Sequence, residues 1–454
     1  MIAWRTARER LWPSLEHIYA VVLIFALTQG PVYKIWRTAE FYTPVPIGPT
    51  WQATFYAAQV PALMLLARRG LDRRFAQGPF LVLCGFLAWM VASTSWTNLS
   101  RYTAIDSLAL AVTAGAGLYV GSRFTSRQLV VLVWMAMQSG VILSYLAVKR
   151  SWTEALDGEG NWAGIYFNRN SLGPVAMIGL ITGCAVTISL WRARDLRWRR
   201  ELMSCTIVLV VLDVVVYVRS GSSTSIAAAT VSAIAGGTWI GIGRWHKVSG
   251  VPLRSIQRVV YPSFVGITLL VAWVGFRYQG AVIGLFGKAD FFNGRSALWH
   301  YSWTGFLDRP FLGWGWRAAW STPEFLKRDL WWTTNGASWS HNGFLEVLLG
   351  GGIVGGLLFA GYILWSGRET VVTVVSIPSE AWRIGLAMFV LVACTQEVFI
   401  IGHHFLWLLL VAVLTPQVVS QQGQRREDEH HQLSEDRSSR QAVGASFVPH
   451  RQEQ

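Results

Sequence analysis

The segment that organises this chain begins with N-G-R-S-A-L-W-H-Y-S-W-T at residues 293–304 and ends with S-H-N-G-F-L-E at residues 340–346. It is the only long polar stretch between strongly apolar segments, with Arg295 near its start and His341 near its end. Tryptophans lie between these two residues at positions 299, 303, 314, 316, 320, 331, 332 and 339. A fixed cation, a candidate base and many aromatic rings at one membrane face predict a site for a charged lipid or a sugar.

Composition places the chain in a membrane. Hydrophobic residues make up 52% of it and charged residues 14%, and it contains 25 tryptophans. Soluble domains carry about 25% charged residues. Apolar windows of about 20 residues recur along the chain, and each is long enough to cross roughly 30 Å of hydrocarbon as a helix. The sequence therefore predicts an all-α polytopic membrane protein with about twelve transmembrane helices.

The predicted spans divide the chain into a membrane domain and a tail. They cover residues 17–33, 51–67, 79–95, 103–120, 128–148, 171–191, 204–218, 224–243, 261–276, 342–365, 380–400 and 403–419. Residues 1–420 then form the transmembrane domain, and its large loop 277–341 carries the predicted site. Residues 421–454 are polar, charged and poor in aromatic residues, so we expect a disordered tail.

The formal net charge of +14 lies mainly in short loops on one side of the predicted spans. Basic residues in short loops mark the cytoplasmic side of a membrane. We therefore expect a multi-pass protein of the inner or plasma membrane with both termini in the cytoplasm. The segments 152–170, 219–222, 277–341 and 402–404 would then face outward. The same distribution does not favour a groove that binds nucleic acid.

Several motifs of metal and nucleotide chemistry are missing. The four cysteines lie in apolar runs without a C-x-x-C pair, which favours neither a zinc site nor a disulfide framework. The chain also lacks a Walker loop, an H-E-x-x-H motif and, outside the tail, a D-x-D motif. The sequence therefore predicts no metal and no nucleotide cofactor, and any glycosyl donor would have to be linked to a lipid.

Arg295 begins a predicted helix that ends before Pro310. In a helix from 295 to 308, Arg295 shares one face with Trp299, Trp303 and Phe306. Such an amphipathic helix would lie in the outer membrane interface, where the guanidinium could bind a diphosphate through two parallel hydrogen bonds. An anchoring helix whose arginine only extends to the interface would show the same periodicity.

His341 stands where the chain enters its next apolar run. Ser340 or Asn342 could cap that helix, and Glu346 in the first turns favours the helix dipole. A histidine can accept a proton near neutral pH, as a general base must. A histidine that merely lies at a helix end would fit the same pattern.

Two further turns carry arginines on the predicted outer face. In N-R-N-S at residues 168–171, Asn170 or Ser171 is a candidate N-cap, and Arg169 could join the helix N-terminus in binding an anion. In R-S-G-S-S-T at residues 219–224, Arg219 offers a second such corner between two spans. Arginines at membrane depth are costly unless they have a role, which makes both functional candidates.

Five motifs follow one another in a recognisable order. They are G-x-Y-F-N-R-N-S-L-G (164–173), S-G-S-S-T-S (220–225), G-R-S-A-L-W (294–299), R-P-F-L-G-W-G-W (309–316) and S-H-N-G-F-L-E-x-L-L-x-x-G-x-x-G (340–355). This order resembles the O-antigen ligase and O-antigen polymerase superfamily, with most similarity to its exopolysaccharide-polymerising branch. The resemblance covers about residues 162–356, whereas the first five helices match only as general membrane spans.

The resemblance implies a GT-C-like fold with amphipathic helices in the large outward-facing loop. It also implies an inverting, metal-independent glycosyltransferase without a cofactor. Its donor would be a glycan linked to undecaprenyl diphosphate, and its acceptor a hydroxyl of a glycan or glycolipid at the membrane lipid surface. Polysaccharide-export proteins would be candidate partners.

The resemblance also assigns roles to residues. His341 would be the general base and Arg295 a ligand of the donor diphosphate. The family often carries a basic residue directly after its S-x-S turn, where this chain has Ser223. We therefore expect Arg219 to supply the second cation and Arg169 to assist it. The remaining expected substrate-binding residues are Asn170, Glu346 and Trp299.

The sequence leaves other classes open. A polytopic transporter or a flippase for lipid-linked glycans would also have many helices, but it would carry charges near the bilayer midplane. Asp213 is the clear mid-span charge here. A scaffold protein of a secretion complex would not need Arg295 and His341 together. Within the superfamily, a ligase and a polymerase differ in their acceptor, and the sequence does not separate them.

Overall fold

The computed structural model describes residues 2–36, 49–69, 78–152, 154–193, 196–277, 295–327 and 338–416. The predicted tail at 421–454 lies outside these ranges, as do parts of the large loop 277–341. The helices are α1 (Ile2–Leu27), α2 (Gly30–Trp36), α3 (Pro49–Arg69), α4 (Pro79–Ala92), α5 (Ser100–Arg123), α6 (Ser126–Lys149) and α7 (Arg169–Arg192). They continue with α8 (Arg199–Ser220), α9 (Ser223–Ser249), α10 (Tyr261–Arg277), α11 (Arg295–Asp308), α12 (Gly343–Ser376), α13 (Ala381–Ala393) and α14 (Phe405–Leu414).

Short helical turns complete the described backbone. They are the 3₁₀ turns Ser93–Ser95, Ala319–Ser321 and Pro378–Glu380, the single turns Leu253–Ser255 and Pro323–Leu326, and the π-helical segment Ile256–Val260. Extended pairing within the described ranges is limited to one isolated bridge, between Leu156 and Trp162. The all-α prediction is therefore confirmed.

Six of these helices are long and apolar enough to cross a membrane, namely α5, α6, α7, α8, α9 and α12. Shorter apolar helices lie at Ser14–Leu27, Pro79–Ser95 and Phe405–Leu414. The chain is thus a multi-pass helical membrane protein. Each of the predicted spans overlaps a helix, but the total of about twelve crossings stays a prediction.

The core is formed around α14, whose residues Phe405 to Leu414 are all buried. This helix is apolar on every side, which is the pattern of a helix surrounded by others. The rings of Phe86 and Phe359 pack against Trp407 in this centre. By contrast, α8 and α9 expose most of their apolar residues and lie at the edge of the bundle.

Helix α12 is broken at Gly352, whose φ of 62° and ψ of −163° are not helical. A break inside a candidate membrane span leaves backbone groups without their helical partners, and other parts of the protein must satisfy them. The replacing bonds run from Trp314 N to Leu349 O (2.7 Å), Gly315 N to Gly350 O (3.1 Å), Ile353 N to Pro310 O (2.7 Å) and Trp89 Nε1 to Gly351 O (2.7 Å). The segment 310–315 is therefore docked onto the break.

The eleventh predicted span, 380–400, has a wrong end, and the twelfth differs from its helix by two residues at its start. Helix α13 stops at Ala393 rather than near 400, and α14 begins at Phe405 rather than at 403. Residues 394–404 form a non-helical connection, named here the 394–404 loop. The apolar letters V-F-I-I at 398–401 concealed it, because hydropathy does not distinguish a buried loop from a buried helix.

Candidate functional site

The S-H-N-G turn at 340–343 opens α12 at the end of the bundle where α7 also begins. Asn342 is its N-cap, and its side-chain oxygen accepts the amide hydrogens of Phe344 (3.0 Å) and Leu345 (3.2 Å). The Gly343 amide donates to Cys394 O (2.7 Å), which joins the turn to the 394–404 loop. His341 itself has a φ of 50°, a left-handed conformation that is uncommon outside glycine.

One carboxylate joins the two strongest sequence candidates. His341 Nδ1 lies 2.8 Å from Glu397 Oε2, and Arg295 Nη2 lies 2.6 Å from Glu397 Oε1. Arg295 Nη1 also donates to the backbone oxygen of Gln396 (2.6 Å). The first residue of α11 and the turn before α12 are thus brought together by the 394–404 loop.

The contacts of His341 indicate its tautomer. Both Glu397 Oε2 (2.8 Å) and Trp339 Nε1 (3.2 Å) lie near Nδ1. An ionised carboxylate only accepts and an indole N–H only donates, so the two contacts compete. The shorter, charge-assisted contact with Glu397 places the proton on Nδ1. The lone pair is then on Nε2, and the side chain is 33% exposed.

Asn170 reaches the same carboxylate from α7. Its Nδ2 lies 3.5 Å from Glu397 Oε1, at the limit of a hydrogen bond. The N-cap of α7 is neither Asn170 nor Ser171 but Asn168, whose side chain accepts the Ser171 amide hydrogen (3.0 Å). Because Asn168 caps the helix, the amide of Asn170 is available for the site.

Arg169 is held by acidic residues of the 151–168 segment. Its Nη1 lies 2.5 Å from Glu159 Oε2, and its Nε lies 3.9 Å from Asp157 Oδ2. Burial would raise the pKa of Asp157, but hydrogen bonds from the Asn161 and Glu159 amides and the Arg169 charge lower it below its ordinary value. The positive charge of Arg169 is therefore already balanced.

Arg219 closes α8 and has an exposed side chain. Its backbone oxygen accepts the Trp162 amide hydrogen (2.9 Å), which places it beside the 151–168 segment. The S-G-S-S turn at 220–223 follows Arg219. This turn packs closely against α7, since a Cβ at Gly173 would lie 2.5 Å from Ser222 Cβ. Among the described residues, no carboxylate forms an ion pair with the Arg219 guanidinium.

Glu346 stabilises the turn from beneath. It is buried, and its Oε1 accepts the Ser340 amide hydrogen (2.6 Å) and the Trp320 indole hydrogen (2.9 Å). Burial would lower the pKa of Arg317, but the nearby Tyr102, Asp106 and Glu346 groups raise it above its ordinary value. Glu346 therefore supports His341 instead of facing the solvent.

Helix α11 presents its aromatic residues differently from the predicted single stripe. Trp299 and Phe306 are buried, at 8% and 7% exposure, whereas Trp303 is 45% exposed. Arg295 and Trp299 remain one turn apart on the inner face of the helix. Trp303 lies beyond the edge of that face, because a separation of eight residues advances more than two full turns.

The residue that sequence reasoning missed is Glu397. It lay within the predicted span 380–400, where a carboxylate is costly and marks a functional candidate. That signal was present in C-T-Q-E-V-F at 394–399. Its two partners are 56 and 102 positions away in sequence, so only the folded chain shows them. Within the described ranges, no group of three or more His, Cys, Asp or Glu side chains could hold a metal ion.

The comparisons with known proteins agree with the motif order. Residues 162–360 match the family model described as O-antigen ligase. No curated protein and no solved structure matches the chain. The matched segment contains Arg169, Arg219, Arg295 and His341, whereas Glu397 lies outside it. Residues 162–360 are therefore similar to an O-antigen ligase domain, which supports the resemblance of this segment to the O-antigen ligase and polymerase superfamily.

Proposed function

We propose that the protein transfers a glycan from undecaprenyl diphosphate to an acceptor hydroxyl, with inversion at the anomeric carbon. The observation that carries this proposal is the convergence of His341 and Arg295 on Glu397. A base and a fixed cation on the two oxygens of one carboxylate suit a reaction that removes one proton and releases one anion. The ligase domain match supports the same reaction class.

His341 is the general base in this proposal. With the proton on Nδ1, its Nε2 can accept the proton of the acceptor hydroxyl as the glycosidic bond forms. Glu397 keeps the ring in this tautomer and stabilises the imidazolium that results. The one-third exposure of the side chain leaves room for an acceptor to approach.

Arg295 stabilises the leaving group. Undecaprenyl diphosphate departs as a delocalised anion, so the protein needs fixed positive charge rather than a proton donor. Gln396 and Glu397 orient the guanidinium, and its planar donors match phosphate oxygens. The arginines supply the required charge, so the proposal needs no metal.

Arg219 is the second cation, and Arg169 has an auxiliary role. Arg169 is paired with Glu159 and Asp157 of the 151–168 segment, whereas Arg295 is paired with the carboxylate that also binds His341. Arg219 is exposed next to the S-G-S-S turn, where the family often places its basic residue. This difference supports the choice of Arg219 to replace the missing cation at Ser223.

We place this site on the outer face of the membrane, with about twelve crossings and both termini in the cytoplasm. The support is the excess of basic residues in the loops at the opposite end of the bundle. The donor and acceptor would then be met in the outer leaflet, and polysaccharide-export proteins could receive the product. Residues 1–420 form the membrane domain in this arrangement, and 421–454 the cytoplasmic tail.

Reconstitution with lipid-linked repeat units tests the reaction. We expect wild-type protein to release undecaprenyl diphosphate and His341→Ala to lose about 10²–10⁴-fold in turnover while it still binds donor. Chain growth without a second acceptor indicates a polymerase, whereas transfer only to an added glycolipid indicates a ligase. Near wild-type turnover by His341→Ala would remove the general-base role.

A further inference from the structure

The 394–404 loop has a second anchor at its far end, around His403. A Cβ at Gly402 would lie 2.4 Å from the Ala109 Cβ, so only glycine allows this close approach to α5. His403 follows with a φ of 58°, a left-handed conformation that costs a non-glycine residue roughly 1–3 kcal/mol. Strained backbone of this kind persists only where the surrounding contacts hold it firmly.

His403 makes contacts with three separate parts of the N-terminal half. Its amide donates to Thr113 Oγ1 of α5 (2.8 Å), its backbone oxygen accepts from Gln29 Nε2 (3.1 Å), and its Nδ1 lies 2.7 Å from Gln59 Nε2 of α3. The ring also stacks on Phe55 at 5.2 Å and meets the edge of Tyr56 at 4.7 Å. Two aromatic rings of α3 thus pack against the imidazole.

The neighbours of Gln59 decide the protonation of the ring. Gln59 Oε1 accepts the Thr113 hydroxyl hydrogen (2.8 Å), and Gln59 Nε2 also donates to Phe55 O (3.0 Å). Gln59 therefore presents a donor to His403, whose Nδ1 must accept. The ring is neutral with its proton on Nε2, an atom that is buried without a hydrogen-bond partner among the described residues.

This arrangement is not what stability alone favours. A buried unsatisfied donor costs about 1–3 kcal/mol, and the left-handed backbone adds to that cost. The residues between His403 and Glu397 are Val398, Phe399, Ile400, Ile401 and Gly402, and the first three are buried. Because packed interiors deform little, we expect a shift at His403 to reach the carboxylate of Glu397.

We propose that His403 is a positioning residue for Glu397. By fixing the 394–404 loop on α3 and α5, it holds the carboxylate where His341 and Arg295 meet it. This inference rests on the proposed function, and it gives the helices before residue 162 a part in the site. The ligase domain match at 162–360 covers neither end of this anchor.

Two substitutions of His403 separate the contribution of its hydrogen-bond acceptor from that of its aromatic ring. His403→Asn keeps an acceptor near the Nδ1 position and tolerates the left-handed backbone. His403→Phe keeps the aromatic packing but faces Gln59 without an acceptor. In the full-length reconstituted protein, we expect His403→Phe to lower kcat by roughly 10- to 100-fold at unchanged donor KM, because small misplacements at a site are costly. His403→Asn should restore most of the turnover.

Trp407→Phe is the matched control for stability. Trp407 Nε1 donates to Leu110 O (3.1 Å), so this residue also joins the end of the chain to α5, but it lies on α14 beyond the loop. We expect Trp407→Phe to lower the melting temperature and leave kcat unchanged. If His403→Phe behaves in the same way, its role is structural and the proposal is overturned.

A double-mutant cycle tests whether His403 acts through Glu397. In a Glu397→Gln background, we expect His403→Phe to add little to the loss of turnover, whereas independent, multiplicative losses would contradict the proposal. A second readout does not depend on the reaction. In a variant without the native cysteines, a cysteine at Glu397 should change its maleimide reactivity when His403→Phe is added. Unchanged reactivity would contradict the anchoring role of His403. Because this measurement needs no turnover, its outcome does not depend on whether the protein is a glycosyltransferase.

Discussion

The S-H-N-G turn precedes helix α12 and the break at Gly352 lies within it, and the two regions are stabilised in different ways. The turn depends on side-chain groups, with Glu397 bound to His341 and Arg295. The break depends on backbone groups, with the segment 310–315 pairing against residues 349–353. The turn therefore requires particular chemical groups, whereas the break requires the absence of side chains.

The two regions therefore differ in the substitutions that they accept. At the turn, a substitution of equal size can retain the fold and still remove the chemistry, because the carboxylate acts through its charge. At the break, even one methyl group is too much, since a Cβ at Gly352 would lie 2.1 Å from Phe311 O. Loss of function at the first region and loss of stability at the second should be separable.

Gly352→Ala should have the largest effect, and the effect should be on stability. The added methyl group would clash with Phe311 O, and alanine at position 352 would have to keep a φ of 62°. We therefore expect the free energy of unfolding to fall by at least about 3 kcal/mol, because of strain and overpacking. Thermal denaturation in detergent measures it. Gly361→Ala on the same helix is the control, since its Cβ would lie 3.5 Å from Val82 Cγ1. Equal melting temperatures for both variants would refute the account of the break.

Glu397→Gln should have the next largest effect, on turnover rather than on stability. A carboxylate offers acceptors to both His341 and Arg295, whereas an amide must turn its NH₂ group towards one of these donors. We expect kcat to fall by about 10²-fold with little change in the melting temperature.

The exposed Glu324→Gln, in the Pro323–Leu326 turn, serves as the control for Glu397→Gln. It should leave both turnover and melting temperature unchanged. If Glu397→Gln also retains wild-type turnover, the turn does not depend on the carboxylate charge and the comparison with the break loses its basis.

Substitution of Arg219 or Arg169 should have the smallest effect, and this effect should be on donor affinity. We expect Arg219→Ala to weaken donor binding by roughly 10-fold, the equivalent of one charged hydrogen bond, and Arg169→Ala to weaken it less. The reason is that Arg169 is already paired with Glu159. Binding of labelled lipid-linked donor measures both, and Ser223→Arg added to Arg219→Ala should restore affinity. If Arg219→Ala has no effect and Arg169→Ala is inactive, Arg169 is the second cation and Arg219 is not.

The helices were largely predictable, and their ends in the last third were not. Apolar windows located α3 to α9 to within a few residues, because a span must be long and apolar whatever its neighbours are. The 394–404 loop was predicted as parts of two helices, since its apolar residues are buried against other helices. Similarly, the glycines at 350–352 did not reveal a break, because glycine is common in membrane helices.

The sequence named candidate residues for the site but not their arrangement. Motif order led to His341, Arg295, Arg219, Arg169 and Asn170, and the structure brings three of them, His341, Arg295 and Asn170, to Glu397. Glu346 and Trp299 were chosen for substrate binding, but both are buried and pack inside the protein. Burial of single residues in a tryptophan-rich loop depends on how the loop folds back.

The sequence by itself determined that the chain crosses the membrane several times as helices, and it placed arginines and a histidine in the segment that resembles the O-antigen ligase family. These properties follow from local patterns, namely hydropathy, helical period and motif spacing. Only the tertiary structure decided that Glu397 joins His341 to Arg295, that Glu159 neutralises Arg169 and that His403 fixes the loop. Each of these contacts depends on side chains that meet only when helices pack. Asn170 and Glu397, for example, are 227 positions apart.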